Sequence, residues 1–222
     1  MRPTKRFPAR IGWALTALAM AMLACQAVVP SQPGPRDFAH GTPTPGIIRN
    51  TLGGYALAQA AAARALPESY LIEMIGYYQV YQGHWFLDHV EYQFVLRTDQ
   101  KIKKLFVDLA ASDASAKNTL NEYEDKPGIF TDALPLDRLK YGEEDALSLA
   151  WEQVGNETEA QCGPLTSIEA EVYALYKTPP HWQITYMRGR VPLAKSFIDA
   201  ESGQVIQNRG AAPDCSGAAA PN

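Results

Sequence analysis

Two stretches of this chain run through the same order of elements, and that internal repeat restricts the available folds more than any composition figure. The first opens with GGYALAQAAAARAL, an Ala-rich helix candidate ended by Pro67. Three β-type runs follow, SYLIEMIGYYQVY, HWFLDHVEYQFVLRT and KIKKLFVDLA, separated at Gln82-Gly83 and Asp99-Gln100. The second opens with GEEDALSLAWEQVG, where acids crowd the first turn and Leu147, Ala150, Trp151 and Val154 recur at helical spacing. Gly155 reads as its stop. Again three β-type runs follow, SIEAEVYALYKT, HWQITYMRG and AKSFIDAESGQVIQ. Ile72-Glu73 opens the first run of one half and Ile168-Glu169 that of the other; His84-Trp85 and His181-Trp182 open the second runs. Self-similarity of this length implies duplication of one supersecondary unit.

The predicted class is α+β: two units, 47–110 and 141–208, joined by a connector at 111–140. In each, one amphipathic helix covers one face of a three-stranded antiparallel sheet. A single continuous antiparallel sheet with two helices on one face uses the same elements and remains the alternative. On a regular strand His84, Phe86, Asp88, Val90, Tyr92, Phe94 and Leu96 point one way, and Trp85, Leu87, His89, Glu91, Gln93, Val95 and Arg97 the other. From residue 90 onward the first set is apolar and packs, while the second is mostly polar and meets solvent or a partner.

The N-terminus reads as an export signal. Arg2, Lys5, Arg6 and Arg10 precede the uncharged IGWALTALAMAMLA, and Met22-Leu23-Ala24-Cys25 follows at once. Cys25 at that place resembles the lipidated cysteine of a bacterial lipoprotein signal, with Met22 where Leu is usual. Its apolar run falls short of the ~20 residues that span a bilayer. Cleavage after residue 24 would leave 16 basic against 24 acidic residues, a formal charge of −8. An acidic chain has no generic attraction to nucleic acid or to an anionic bilayer, so membrane attachment is expected through lipid on Cys25. Residues 25–46, rich in Pro and Gly, read as a tether, and 209–222 as a C-terminal tail.

With Cys25 taken by lipid, Cys162 and Cys215 are left to pair in an oxidising compartment, which the chain-entropy model values at about 4 kcal/mol. Two free thiols are the alternative. A metal site is disfavoured, because neither has a second Cys or His at ligand spacing.

Residues 143–207 resemble a PepSY-type domain. The resemblance rests on EEDALSLAWEQVG, the Trp-bearing strand WQITY, and above all Phe197-Ile198-Asp199-Ala200-Glu201-Ser202-Gly203-Gln204-Val205-Ile206. In that family a strand ends on Asp, turns through Thr/Ser-Gly and returns through Val. Asp199 is suited to cap such a turn and Gly203 to adopt positive φ, both structural roles. The first half, over 50–110, lacks a D-x-x-S/T-G turn after KIKKLFVDLA and reads as a degenerate PepSY-like repeat. The resemblance implies an envelope protein that binds or restrains other proteins, including peptidases, with no catalytic residue to transfer.

The residues themselves do not demand catalysis or a cofactor. His84, Asp88, His89 and Glu91 concentrate metal-type ligands, but only His89 and Glu91 share a strand face and no HExxH occurs. No nucleophile elbow or phosphate loop is present. Tyr and Trp crowd the β runs, where core packing and an interface use them equally. Trp85, His89, Glu91 and Trp182 form the candidate binding face. The expected function is a non-catalytic envelope lipoprotein binding another exported protein. A small-molecule or lipid carrier is the alternative, and a metal-dependent hydrolase through His89 and Glu91 the remoter one.

Overall fold

A computed structural model describes residues 48–81, 84–98, 101–124, 133–174, 178–209 and 215. The signal, Cys25, the tether, the Gln82-Gly83 and Asp99-Gln100 turns and most of the tail lie outside the described residues.

The first helix, α1 (Tyr55–Ala65), follows a short 3₁₀ turn at Leu52–Gly54 and leads to β1 (Tyr70–Tyr81), β2 (His84–Arg97), β3 (Lys101–Ala110) and β4 (Ala116–Glu124). A second 3₁₀ turn at Leu136–Arg138 precedes α2 (Glu143–Ala150), a π-turn at Trp151–Gly155 and α3 (Asn156–Cys162). Then come β5 (Ser167–Tyr173), β6 (His181–Arg188), β7 (Val191–Asp199) and β8 (Val205–Arg209). All strand pairs are antiparallel, in one eight-stranded sheet of order β4-β3-β2-β1-β5-β6-β7-β8.

This corrects the expectation of two three-stranded units: the observed arrangement is the continuous sheet with its helices on one face. Each half supplies four strands, and the halves join where β1 pairs with β5, Gly76 opposite Ala170 and Ile75 opposite Glu171. The first strand of each unit is thereby central, and neither leaves an open edge. Residues 96 apart in the two halves, Ile75 and Glu171, face each other, so a pseudo-two-fold axis passes between them. The connector region also carries β4, exposed along nearly its whole length.

The main core lies between sheet and helices, and a second, small cluster joins Ile72, Val95 and Ile102 with Tyr70. Ala58, Ala61 and Ala62 of α1 and Ala146, Leu147 and Ala150 of α2 pack in the same cluster as Met74, Tyr92, Ile168, Trp182 and Tyr186. The two halves interlock beneath the helices. Trp85 of β2 stands edge-on to Trp151 (5.0 Å, 87°) and to Tyr186 of β6 (6.3 Å, 86°). Glu143, the first residue of α2, is buried and accepts a hydrogen bond from the Thr51 amide at 2.7 Å. The Tyr92 hydroxyl donates to the Thr51 carbonyl at 2.5 Å, and Gly76 leaves the space the Glu143 carboxyl fills.

The helix does not stop at Gly155, as expected from its sequence. It passes through the π-turn and ends at Gly163, whose φ is +79°. Gly155 is helical, and it brings the backbone against Trp151 and Tyr186. Cys162 at that helix end and Cys215 sit at disulfide distance, Cα–Cα 5.3 Å.

At the motif turn, Asp199 Oδ1 accepts from the amides of Glu201 and Ser202, both at 2.8 Å, and Gly203 takes φ +71°. Among the described residues no helix is long and apolar enough to cross a membrane.

Candidate binding face

The described helices lie on one side, so among the described residues no helix covers the opposite face of the sheet, where Ile72, Val95 and Ile102 form a small buried cluster. Strand register arranges the side chains of that face in transverse rows. The middle row crosses Lys117, Asp108, Glu91, Ile75, Glu171, Gln183 and Phe197. On one side of it lie Gln93, Glu73, Tyr173 and His181; on the other His89, Tyr77, Glu169 and Thr185. These flanking rows are related by the pseudo-two-fold: Glu73-Tyr173-His181 corresponds to Glu169-Tyr77-His89. Each contains a close Tyr–His pair. Tyr77 stacks on His89 (4.2 Å, 15°), and Tyr173 meets His181 edge-on (4.3 Å, 66°).

The electrostatics are those of crowded, half-buried acids. Burial raises Glu73 to about 9, reinforced by the hydrogen bond and charge of Glu171; Lys104 opposes the shift and Glu91 adds to it. Glu73, beside the Glu171 carboxyl, is thereby shifted toward its protonated form. Glu91 and Glu169 are also raised, first by burial. Burial also pushes the Tyr77 phenol up and His181 down. Gln183 Nε2 donates to Glu171 at 2.6 Å, and Gln93 Nε2 to Glu91 at 3.2 Å. His89 Nδ1 lies 2.8 Å from Asp88 Oδ2.

Of the four residues expected on a binding face, the structure places His89 and Glu91 here and puts Trp85 and Trp182 in the core beneath the helices. For Trp85 the cause is a bulge: Tyr77 pairs with His89 and Tyr78 with Leu87, so Asp88 is skipped and the parity before it inverts. Trp85 then shares the helix side with Val90 and Tyr92, while Phe86 moves to the open side. Trp182 pairs with Val172 on the helix side, and its Nε1 donates to the Tyr141 carbonyl at 3.0 Å. The spatial counterpart of His181 is His89 and not His84, since each lies opposite the matching tyrosine of the neighbouring strand. Among the described residues no three His, Cys, Asp or Glu side chains are placed to hold a metal ion.

Glu73, Tyr77, Glu169, Glu171, Tyr173 and His181 were missed as site residues, although a signal existed. Glu73 and Glu169, and Tyr77 and Tyr173, recur at the same 96-residue spacing that aligns Ile72 with Ile168. Comparison of the chain with models of protein families, with curated proteins and with solved structures finds no match.

Proposed function

We propose that this chain is an exported, non-catalytic protein, anchored through lipid on Cys25, that holds another exported protein on the open face of its sheet. The carrying observation is that face: eight strands wide, without a helix on it among the described residues, and lined at its centre by half-buried tyrosines and acids together with His89 and the buried His181. Tyrosine offers contact area with a polar tip, which suits recognition of protein surface. The PepSY-type likeness of residues 143–207 favours restraint of a peptidase as the particular role. A carrier of small molecules or lipid would need room between helices and sheet, and Trp182, Tyr92, Tyr186 and Met74 fill that layer.

Co-purification from membranes tests the reading. The wild-type chain, detergent-extracted and carrying a diacylglyceryl-sized mass on a chain shortened by the signal, is expected to retain an exported protein. Tyr77→Ala with Tyr173→Ala is expected to lose it while melting normally. Retention by that variant would contradict the role of the face, and an unlipidated full-length chain would contradict the anchor.

A further inference from the structure

The sheet ends in two unlike edges. On one side is β8, five residues long and bulged against β7 at Phe197 and Ile198, a short, irregular form that resists further pairing. On the other is β4, nine residues long, paired with β3 at every position without a bulge and containing no proline. Among the described residues no strand pairs with its outer side. Eight of its nine residues are exposed, Leu120 and Tyr123 among them. The row of backbone amides and carbonyls along such an edge is a template for one more strand. Charged side chains commonly guard an edge, but those of β4 are answered from β3. Lys117 stands opposite Asp108, Glu124 stands opposite Lys101, and Glu122 pairs with Lys101 and Lys103.

We propose that the added strand is β4 of a second copy of this chain, antiparallel to the first about a two-fold axis normal to the sheet at Leu120. Leu120 is the midpoint of Ala116–Glu124, so all nine residues find an opposite number. Residues equidistant from Leu120 share a strand face, so both copies keep their helices on one side and their open faces on the other. On the helix side, marked by the pairing of Leu120 with the buried Leu105, Leu120 meets its own copy. Asn118 there meets Glu122, and Ala116 meets Glu124. On the open side Thr119 meets Asn121, and Lys117 meets the Tyr123 ring. No like charges stand opposite each other, the exposed leucine is covered, and the Lys–Tyr pairs add cation–π attraction at both ends. A β4-on-β8 contact would instead repeat without closing, and β8 is too short to match β4. A single ladder makes a small, reversible interface, whose occupancy rises when anchored chains share one membrane. The pairing joins two eight-stranded sheets into one and sets their open faces side by side, but it does not depend on what those faces bind.

The test is sedimentation of the full chain in detergent, with charge changes at the one position that would face itself. The wild type is expected to form a reversible dimer at micromolar concentration. Leu120→Lys and Leu120→Glu each set like charges against each other on the axis and are expected to weaken the dimer at least about tenfold. Because Leu120 is exposed, both are expected to melt as the wild type does. Mixing the two variants is expected to restore pairing, since unlike charges then meet. Leu120→Cys is expected to give a covalent dimer with a short thiol-to-thiol reagent, and Ile206→Cys, exposed on β8, is not. A monomeric wild type, or variants that stay apart when mixed, overturns the proposal. Cross-linking of Leu120→Cys to Ile206→Cys would show a head-to-tail array and overturn it as well. So would a monomeric chain that retains an exported protein only while Leu120 is intact, because a partner's strand would then occupy the edge.

Discussion

Gly155 lies inside a helix, where alanine ordinarily stabilises by about 1 kcal/mol. Here a Cβ would press on the Trp151 ring and come within 2.9 Å of the Tyr186 ring and hydroxyl. Gly155→Ala is therefore expected to destabilise by about 1–3 kcal/mol, read from urea midpoints, because overpacking outweighs helix propensity. The sequence showed a glycine at a helix end but not what approaches it, so the stop was placed eight residues early. Glu143 poses the same problem in electrostatic form. Its place in the first turn of α2 reads as a helix-dipole acid, yet burial outweighs the Thr51 and Tyr78 hydrogen bonds and raises it to about 7. Protonation is then favoured by folding, so its contribution is complete below about 4.5 and lost as pH rises to about 7. Wild-type stability is expected to fall over that range by about 3 kcal/mol more than that of Glu143→Gln, measured by denaturant titration across pH. Identical pH profiles would contradict this assignment.

At the scale of elements, β1, β2, β3, β5, β6, the β7-turn-β8 run, α1 and the start of α2 were legible because apolar periodicity, or alanine content, and turn residues agreed. AKNTLNEYE was not: β4 buries almost nothing, so it shows no period-two pattern, and its pairing with β3 fixes it instead. The Asp88 bulge was equally silent, and with it went the placement of Trp85. The turn after β7 was legible, since Asp199 and Gly203 each have a local conformational task. Asp199→Ala leaves the Glu201 and Ser202 amides without their acceptor and is expected to cost about 1–2 kcal/mol, with Asp199→Asn recovering most of it. Thermal melts of the three proteins decide this.

Over the whole molecule, the duplication was readable but the joint between its copies was not. Which edges of two similar units meet depends on long-range pairing, and periodicity within each unit carries no record of it. The joint predicts cooperativity. Trp85 belongs to the first half and packs on Trp151 and Tyr186 of the second, so Trp85→Ala is expected to lower the stability of both together by about 3–5 kcal/mol. Fluorescence and far-ultraviolet circular dichroism should trace one coincident transition; two separated transitions would show that the halves unfold independently.

The candidate face was half legible for the same reason. His89 and Glu91 lie close together in sequence, whereas the two Glu-Tyr-His rows form only when β2, β1, β5 and β6 lie side by side. The most direct test is site-specific photo-cross-linking in intact cells. A photoreactive residue at Ile75, at the centre of the open face, is expected to capture an exported protein, and one at Leu57, on the exposed side of α1, is not. Capture from Leu57 alone, or equally from both positions, would contradict a partner seated on the open sheet.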